Sequence, residues 1–247
     1  MIRAGVEAFE GAGDRERGSM DSTMARKLRP WLDDAVRHVT TLGPDDERWT
    51  FDEILLSGTQ TVIFIRTGLG NESFGGPFIR MVIDNAINSA RRIWNQTGKP
   101  LPNGLWVFVD EAKTAGNSEA VVHAVNELRK ANVNVFLGFL TYQDVKDTYT
   151  APQSLLNGCA WVIAGGSRDL ALYKEASALA GDRTVITKSV TKGDRESETE
   201  TDAAKPLITP ADLQNLADDE VVVIGRGLLA KLKKPFGVKL GKLLYRS

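Results

Sequence analysis

The chain has 247 residues, 42% hydrophobic and 26% charged, with Lys+Arg 31 set against Asp+Glu 32. One cysteine excludes a disulfide framework and a Cys-rich zinc site, and two isolated histidines leave little for a His-based metal centre. A formal net charge of -1 excludes nucleic-acid binding by bulk charge, so any such site has to be a local basic patch. No apolar run reaches the ~20 residues of a membrane helix, and the N-terminus lacks a signal-peptide core. A reducing, cytoplasmic compartment is expected.

Residues 1–20 are Gly- and charge-rich and read as a poorly ordered lead-in. Three- and four-residue spacing of Leu28, Trp31, Leu32, Ala35 and Val39 predicts a helix over Ser22–Val39, kinked or split at Pro30. Thr61–Arg66 (TVIFIR) is a nearly continuous apolar run, the pattern of a strand buried on both faces. Thr67–Pro77 reads as a Gly-rich loop leading into a helix near Phe78–Trp94. Three further strands follow at Leu105–Asp110, Val133–Leu140 and Trp161–Ala164. Helices are expected after them near Ser118–Ala131, Tyr142–Asn157 and Arg168–Gly181. This alternation predicts βαβ units and a mostly parallel sheet flanked by helices. Residues 184–204 then form a polar ribbon turning at Lys192-Gly193-Asp194, before a short Asp212–Leu216 helix and a closing strand at Glu220–Gly225. The segment 226–247 carries seven cations and no acid, and interleaved Leu, Phe and Val favour its packing on the domain 21–225.

The chemistry concentrates at Leu105-Trp106-Val107-Phe108-Val109-Asp110-Glu111, an apolar strand ending in two acids. This is the Walker B pattern of nucleotide-driven motors. A strand end fixes one carboxylate beside the water shell of Mg²⁺ and a second near the attacking water. The same acids also suit the start of a following helix, where the macrodipole favours them. No G-x-x-x-x-G-K-[ST] loop accompanies the pair. Gly13–Ser19 lacks the lysine and follows no strand, and Thr67–Ser73 lacks the third glycine of a dinucleotide fingerprint. Thr141 and Gln143, after the Val133–Leu140 strand, suit either a γ-phosphate sensor or a helix cap. Arg168 suits an arginine finger acting on a neighbouring subunit or an ordinary helix-start ion pair. Lys231, Lys233 and Lys234 are candidates for phosphate-backbone contacts. Cys159, His38 and His123 read as structural.

The order of blocks over residues 10–247 resembles the C-terminal part of the motor domain of type IV secretion coupling proteins, the TraG/TraD-like conjugative DNA-transfer ATPases. Arg15–Ser19 with Trp31-Leu32 is similar to the family's helix after its all-α insertion. Phe108–Ala112 stands at its Asp-Glu-Phe, and Thr141–Tyr149 occupies its Gln-bearing block. Lys205-Pro206-Leu207-Ile208-Thr209-Pro210-Ala211-Asp212-Leu213 matches its R-P-L-L-T-P-x-E-L block, ahead of the closing strand. The resemblance implies a partial RecA-like P-loop NTPase core lacking the P-loop strand, with a C-terminal β-hairpin. It implies ATP and Mg²⁺ as cofactors of the intact family, with Asp110 organising Mg²⁺ and Glu111 activating water. Gln143 or Thr141 would sense the γ-phosphate, and Arg168 would act in trans. Implied partners are like or full-length motor subunits in a hexamer, DNA, relaxosome and secretion-channel proteins, at the cytoplasmic face of the inner membrane. Ala112 replaces the family's Phe, and the chain shows neither its membrane helices nor its P-loop. It is therefore expected to be a poor ATPase alone, with no nucleotide bound. Two other readings stay open: a non-catalytic DNA- or partner-binding module derived from the family, and another hexameric P-loop DNA translocase.

Overall fold

A computed structural model describes residues 9–32, 34–41, 43, 48–66, 72–191, 197–225 and 227–234. The chain forms two compact units, 1–138 and 139–247.

In the first unit, α1 (Asp14–Leu28) begins eight residues before the expected Ser22, so part of the presumed lead-in is helical. Pro30 breaks it into a 3₁₀ turn (Arg29–Leu32), followed by α2 (Asp34–Thr40). A short helix not expected from the sequence, α3 (Phe51–Leu56), is opened by a reciprocal Thr50–Glu53 capping box. The long α4 (Glu72–Thr97) buries Ile83, Ala86, Ile87, Ala90 and Ile93, one stripe at helical spacing. It includes residues read as loop. A β-carbon on Gly76 would collide with the carbonyl oxygen of Thr114, so this glycine permits close approach rather than a flexible turn. Residues 67–71 of that presumed loop lie outside the described residues.

Strands β1 (Leu105–Val109) and β2 (Val133–Leu137) pair in parallel, Leu105 opposite Val133 and Val109 opposite Leu137. Between them run α5 (Ala112–Ala115) and α6 (Glu119–Glu127), the latter capped by the Ser118 hydroxyl. The buried strand expected at Thr61–Arg66 is absent. That segment carries no regular secondary structure and no strand pairing among the described residues, and Val62 and Phe64 are 74% and 87% exposed. A run of apolar residues records a tendency to be buried, and pairing needs a second segment in register, which the run by itself does not specify.

In the second unit, α7 (Tyr142–Thr148) and α8 (Pro152–Gly158) replace the single predicted helix, interrupted before Pro152. Strand β3 (Trp161–Ala164) is followed by α9 (Leu170–Ala180). It pairs antiparallel with β6 (Glu220–Gly225), and β6 pairs antiparallel with β7 (Leu228–Lys233). Parallel pairing is therefore confined to β1 and β2 among the described residues. β4 (Asp182–Thr191) and β5 (Ser197–Pro206) form the polar hairpin, ten residues a side, whose Lys192–Asp194 turn lies outside the described residues. After it comes α10 (Pro210–Gln214), opened by a Thr209–Asp212 capping box. The core of this unit is Ala164, Tyr173, Ala176, Leu213, Val222 and Ile224. Among the described residues no helix is long and apolar enough to cross a membrane.

Two glycine substitutions should act in opposite directions. Gly76→Ala forces the α4 backbone away from Thr114 and is expected to cost about 1–3 kcal/mol. Gly18→Ala, within α1 and open on all sides, should stabilise by up to about 1 kcal/mol. Urea denaturation of the two variants checks both signs.

Candidate functional site

Asp110 and Glu111 stand at the C-terminal end of β1, in the first unit. The Gly138 amide donates to the Val109 carbonyl at 2.8 Å, and the Gly138 carbonyl accepts from the Ala112 amide at 2.8 Å. These two bonds hold the chain on either side of the acids against the end of β2. Gly138 also lies close to the two acids, since a β-carbon there would sit in ordinary contact, 3.5 Å from Asp110 Oδ1 and 3.6 Å from the Glu111 nitrogen. Its role went unread in the sequence. The signal was a glycine closing the neighbouring parallel strand.

The turn forces Glu111 into the left-handed region, φ 55° and ψ 59°, which L-residues other than Gly and Asn seldom adopt. Asp110 is exposed and Glu111 half-buried. Neither carboxylate has a hydrogen-bond or ion-pair partner among the described residues, so neither is committed to capping α5. Behind them Ser118 donates to Asp84 Oδ1 at 2.5 Å, tying the start of α6 to α4 and fixing the far end of the 110–118 loop.

The other candidates lie in the second unit. The Thr141 hydroxyl donates to Asp144 Oδ2 at 2.7 Å and accepts from the Asp144 amide at 3.1 Å, a reciprocal capping box that occupies it as a helix cap. Gln143 is exposed, its amide donating to Asp147 Oδ1 at 2.7 Å along the helix. Arg168 is exposed with no partner among the described residues. Its neighbour Asp169 joins two helix starts: one carboxylate oxygen accepts from the Ala171 amide at 2.9 Å, the other from the Tyr142 amide at 2.8 Å. Thr141, Gln143 and Arg168 are thus linked through Asp169, a residue the sequence did not single out. Burial, then Glu175, pushes the Tyr142 phenol above its usual range, and burial raises the half-buried Cys159 thiol.

The three lysines proposed for nucleic acid sit beside acids. Lys231 Nζ is 2.7 Å from Glu220 and Lys233 Nζ 3.5 Å from Asp219, while Lys234 Nζ donates to the Asp218 carbonyl at 2.8 Å. Two of the cations are thus paired with acids and the third with a backbone carbonyl.

The family described as Type IV secretory system Conjugative DNA transfer matches residues 2–245. The chain belongs to this family. A probable conjugal transfer protein TraG of Sinorhizobium fredii (strain NBRC 101917 / NGR234) is 24% identical over 186 residues, 72% of this chain and 28% of TraG. Among solved structures, the unbound monoclinic form of the bacterial conjugative coupling protein TrwBdeltaN70 aligns with a TM-score of 0.56 at 22% identity, covering 67% of this chain and 38% of that one. Its trigonal form in complex with sulphate gives 0.51 at 22% identity, with the same two coverages. The likeness shows the fold alone, a RecA-like α/β fold. The chain spans roughly a third of the length of these relatives.

Glu111→Gly should raise stability by about 0.5–1 kcal/mol in thermal or urea denaturation, because glycine accepts the left-handed backbone that glutamate strains to hold. A second expectation follows from Glu220. The Lys231 ammonium, then the Ala217 amide, hold its carboxyl below the usual glutamate range. A lowered folded-state pKa gives stability that is present above the unfolded value and lost as pH falls through the folded one. Urea midpoints should therefore decline less steeply on acidification, from about pH 6 to about pH 3, in Glu220→Gln than in the parent chain.

Proposed function

We propose that this conjugative-transfer family member supplies the Walker B carboxylates of a coupling ATPase that drives DNA or protein substrates through a type IV secretion channel. One observation carries the reading: Asp110 and Glu111 stand at the end of a parallel strand, on a strained turn, without hydrogen-bond or ion-pair partners among the described residues. A carboxylate that served only the fold would cap a helix or pair with a cation, as Asp169 and Asp52 do. The free, exposed Asp110 fits the water shell of a magnesium ion, which when bound to ATP neutralises charge that develops on the phosphates. Asp110 would hold that shell and Glu111 would accept the proton of the attacking water.

In the second unit, Gln143 is the better candidate for sensing a phosphate, because the Thr141 hydroxyl is taken by its capping box. Arg168, exposed and unengaged among the described residues, suits the trans-acting role that a hexamer of motor subunits would give it. The sequence offers no lysine-bearing phosphate loop, so these carboxylates act only when such a loop is brought to them. The ion pairs of Lys231 and Lys233 and the carbonyl bond of Lys234 count against the alternative of a DNA-binding module acting through those lysines.

The test is Mg²⁺-dependent ATP binding and turnover by the purified chain, with and without single-stranded DNA. The expected result is turnover indistinguishable from background. Turnover abolished by Glu111→Gln would show that the chain carries its own phosphate cradle and overturn the reading of a dependent motor part.

A further inference from the structure

The segment between β3 and α9, Gly165–Asp169, bears Arg168, and each of its other residues is held in place. A β-carbon on Gly165 would lie 2.8 Å from the Glu220 carbonyl oxygen and 3.0 Å from Val221 Cα, so this glycine lets the segment start directly against β6. Gly166 takes a left-handed backbone, φ 66°, and the Lys234 ammonium stands 2.7 Å from where a β-carbon on it would be. The Ser167 hydroxyl accepts from the Asp169 amide at 3.0 Å, and the Ser167 carbonyl accepts from the Tyr173 hydroxyl. Asp169 in turn is fixed by the Ala171 and Tyr142 amides.

Two of these tethers come from side chains that the packing of the unit does not by itself require. Tyr173 is 2% exposed among Ala164, Ala176 and Val222, where a phenyl ring alone would fill the space. A buried phenol has to find a partner for its O–H, and Tyr173 spends it on the residue immediately before Arg168. Lys234 reads in the sequence as a contact for phosphate backbones. Its ammonium instead donates to the Asp218 carbonyl at 2.8 Å and its amide to the Asp219 carbonyl at 2.6 Å, and these bonds keep it against Gly166.

A guanidinium that has to meet a phosphate on a neighbouring subunit gains from being placed before the encounter, because the ordering entropy is then lost on folding and not on binding. We propose that Tyr173 and Lys234 are positioning residues for Arg168, the first acting through the Ser167 carbonyl and the second at Gly166. The inference rests on the trans-acting role given to Arg168, and it concerns how that residue is held, so its test needs no nucleotide turnover.

The experiment is ¹⁵N relaxation by NMR on the full chain. In the parent, the amides of Ser167, Arg168 and Asp169 should have order parameters of about 0.85, as in rigid backbone. Tyr173→Phe, which removes one oxygen and keeps the ring, should drop them below about 0.6 while the amides of β6 hold their values. Lys234→Met should loosen the same three amides. Lys234→Arg, which can still donate to the Asp218 carbonyl, should restore them, and Lys233→Met, whose lysine pairs with Asp219, should leave them unchanged. A parent segment already below about 0.6 overturns the proposal, as does Tyr173→Phe or Lys234→Met leaving it as rigid as before. So does uniform loosening of residues 139–247 in both variants, which would make the two side chains ordinary contributors to the core. None of these outcomes bears on Asp110 and Glu111, whose test is ATP turnover.

Discussion

The hydrogen bonds that fasten β1 to β2 at both ends are the constraint on which the first unit depends. At the start, the left-handed Asn132 offers its carbonyl to the Leu105 amide at 2.9 Å and its side-chain amide to the Leu101 carbonyl at 3.2 Å. At the finish, Gly138 holds both Val109 and Ala112. A parallel pair has no hairpin to set its register, so end clamps of this kind take over that task. With Val109 and Ala112 both held, Asp110 and Glu111 must turn sharply between them. The left-handed Glu111 is the local consequence. Its strain therefore comes from the strand pairing itself, and the two carboxylates are displayed by the same bonds that define the sheet.

The second unit solves a different problem with polar caps. Thr141, Asp169 and Thr209 each open a helix with a side-chain acceptor, and Asp169 does so while also holding the Tyr142 amide. One carboxylate thus fixes the relative placement of two helix starts, including the loop that bears Arg168. Charges at the β6–β7 corner are balanced locally, Lys231 against Glu220 and Lys233 against Asp219. Exposed pairs of this kind add little stability. Their effect is on potential: at Lys231 and Lys233 they offset positive charge that the sequence alone suggests.

What the sequence made legible follows from how local each cause is. Trp161–Ala164 and Glu220–Gly225 were readable to the residue, because short apolar runs bounded by glycine and polar residues carry their own limits. Pairing direction was not readable, since β3 finds its neighbour about sixty residues on, beyond the hairpin. The run Thr61–Arg66 reads as a strand, yet a strand is a property of two segments and the run specifies only one. Gly75-Gly76 reads as a loop, yet glycine serves close helix contact as well as it serves turns. At the site, Asp110-Glu111 was visible as a pattern, whereas Gly138 was not, its contact being made across 27 intervening residues. The capping role of Thr141 was in principle visible, in the Thr-x-x-Asp spacing to Asp144.

Two adjacent carboxylates without a cation among the described residues repel one another, and the exposed rings of Trp106, Phe108 and Phe136 keep apolar area in water. Folding alone gives neither feature a reason to persist. Both sit on the β1–β2 pair, the acids at the end of β1 and the rings along the two strands. A strand end that meets its counter-charge only through another component keeps its acids unpaired. Arg168 is the complementary case, an exposed cation at a helix start with no acid paired to it among the described residues. Among the described residues the groups left to solvent are thus an apolar row, a pair of anions and a cation.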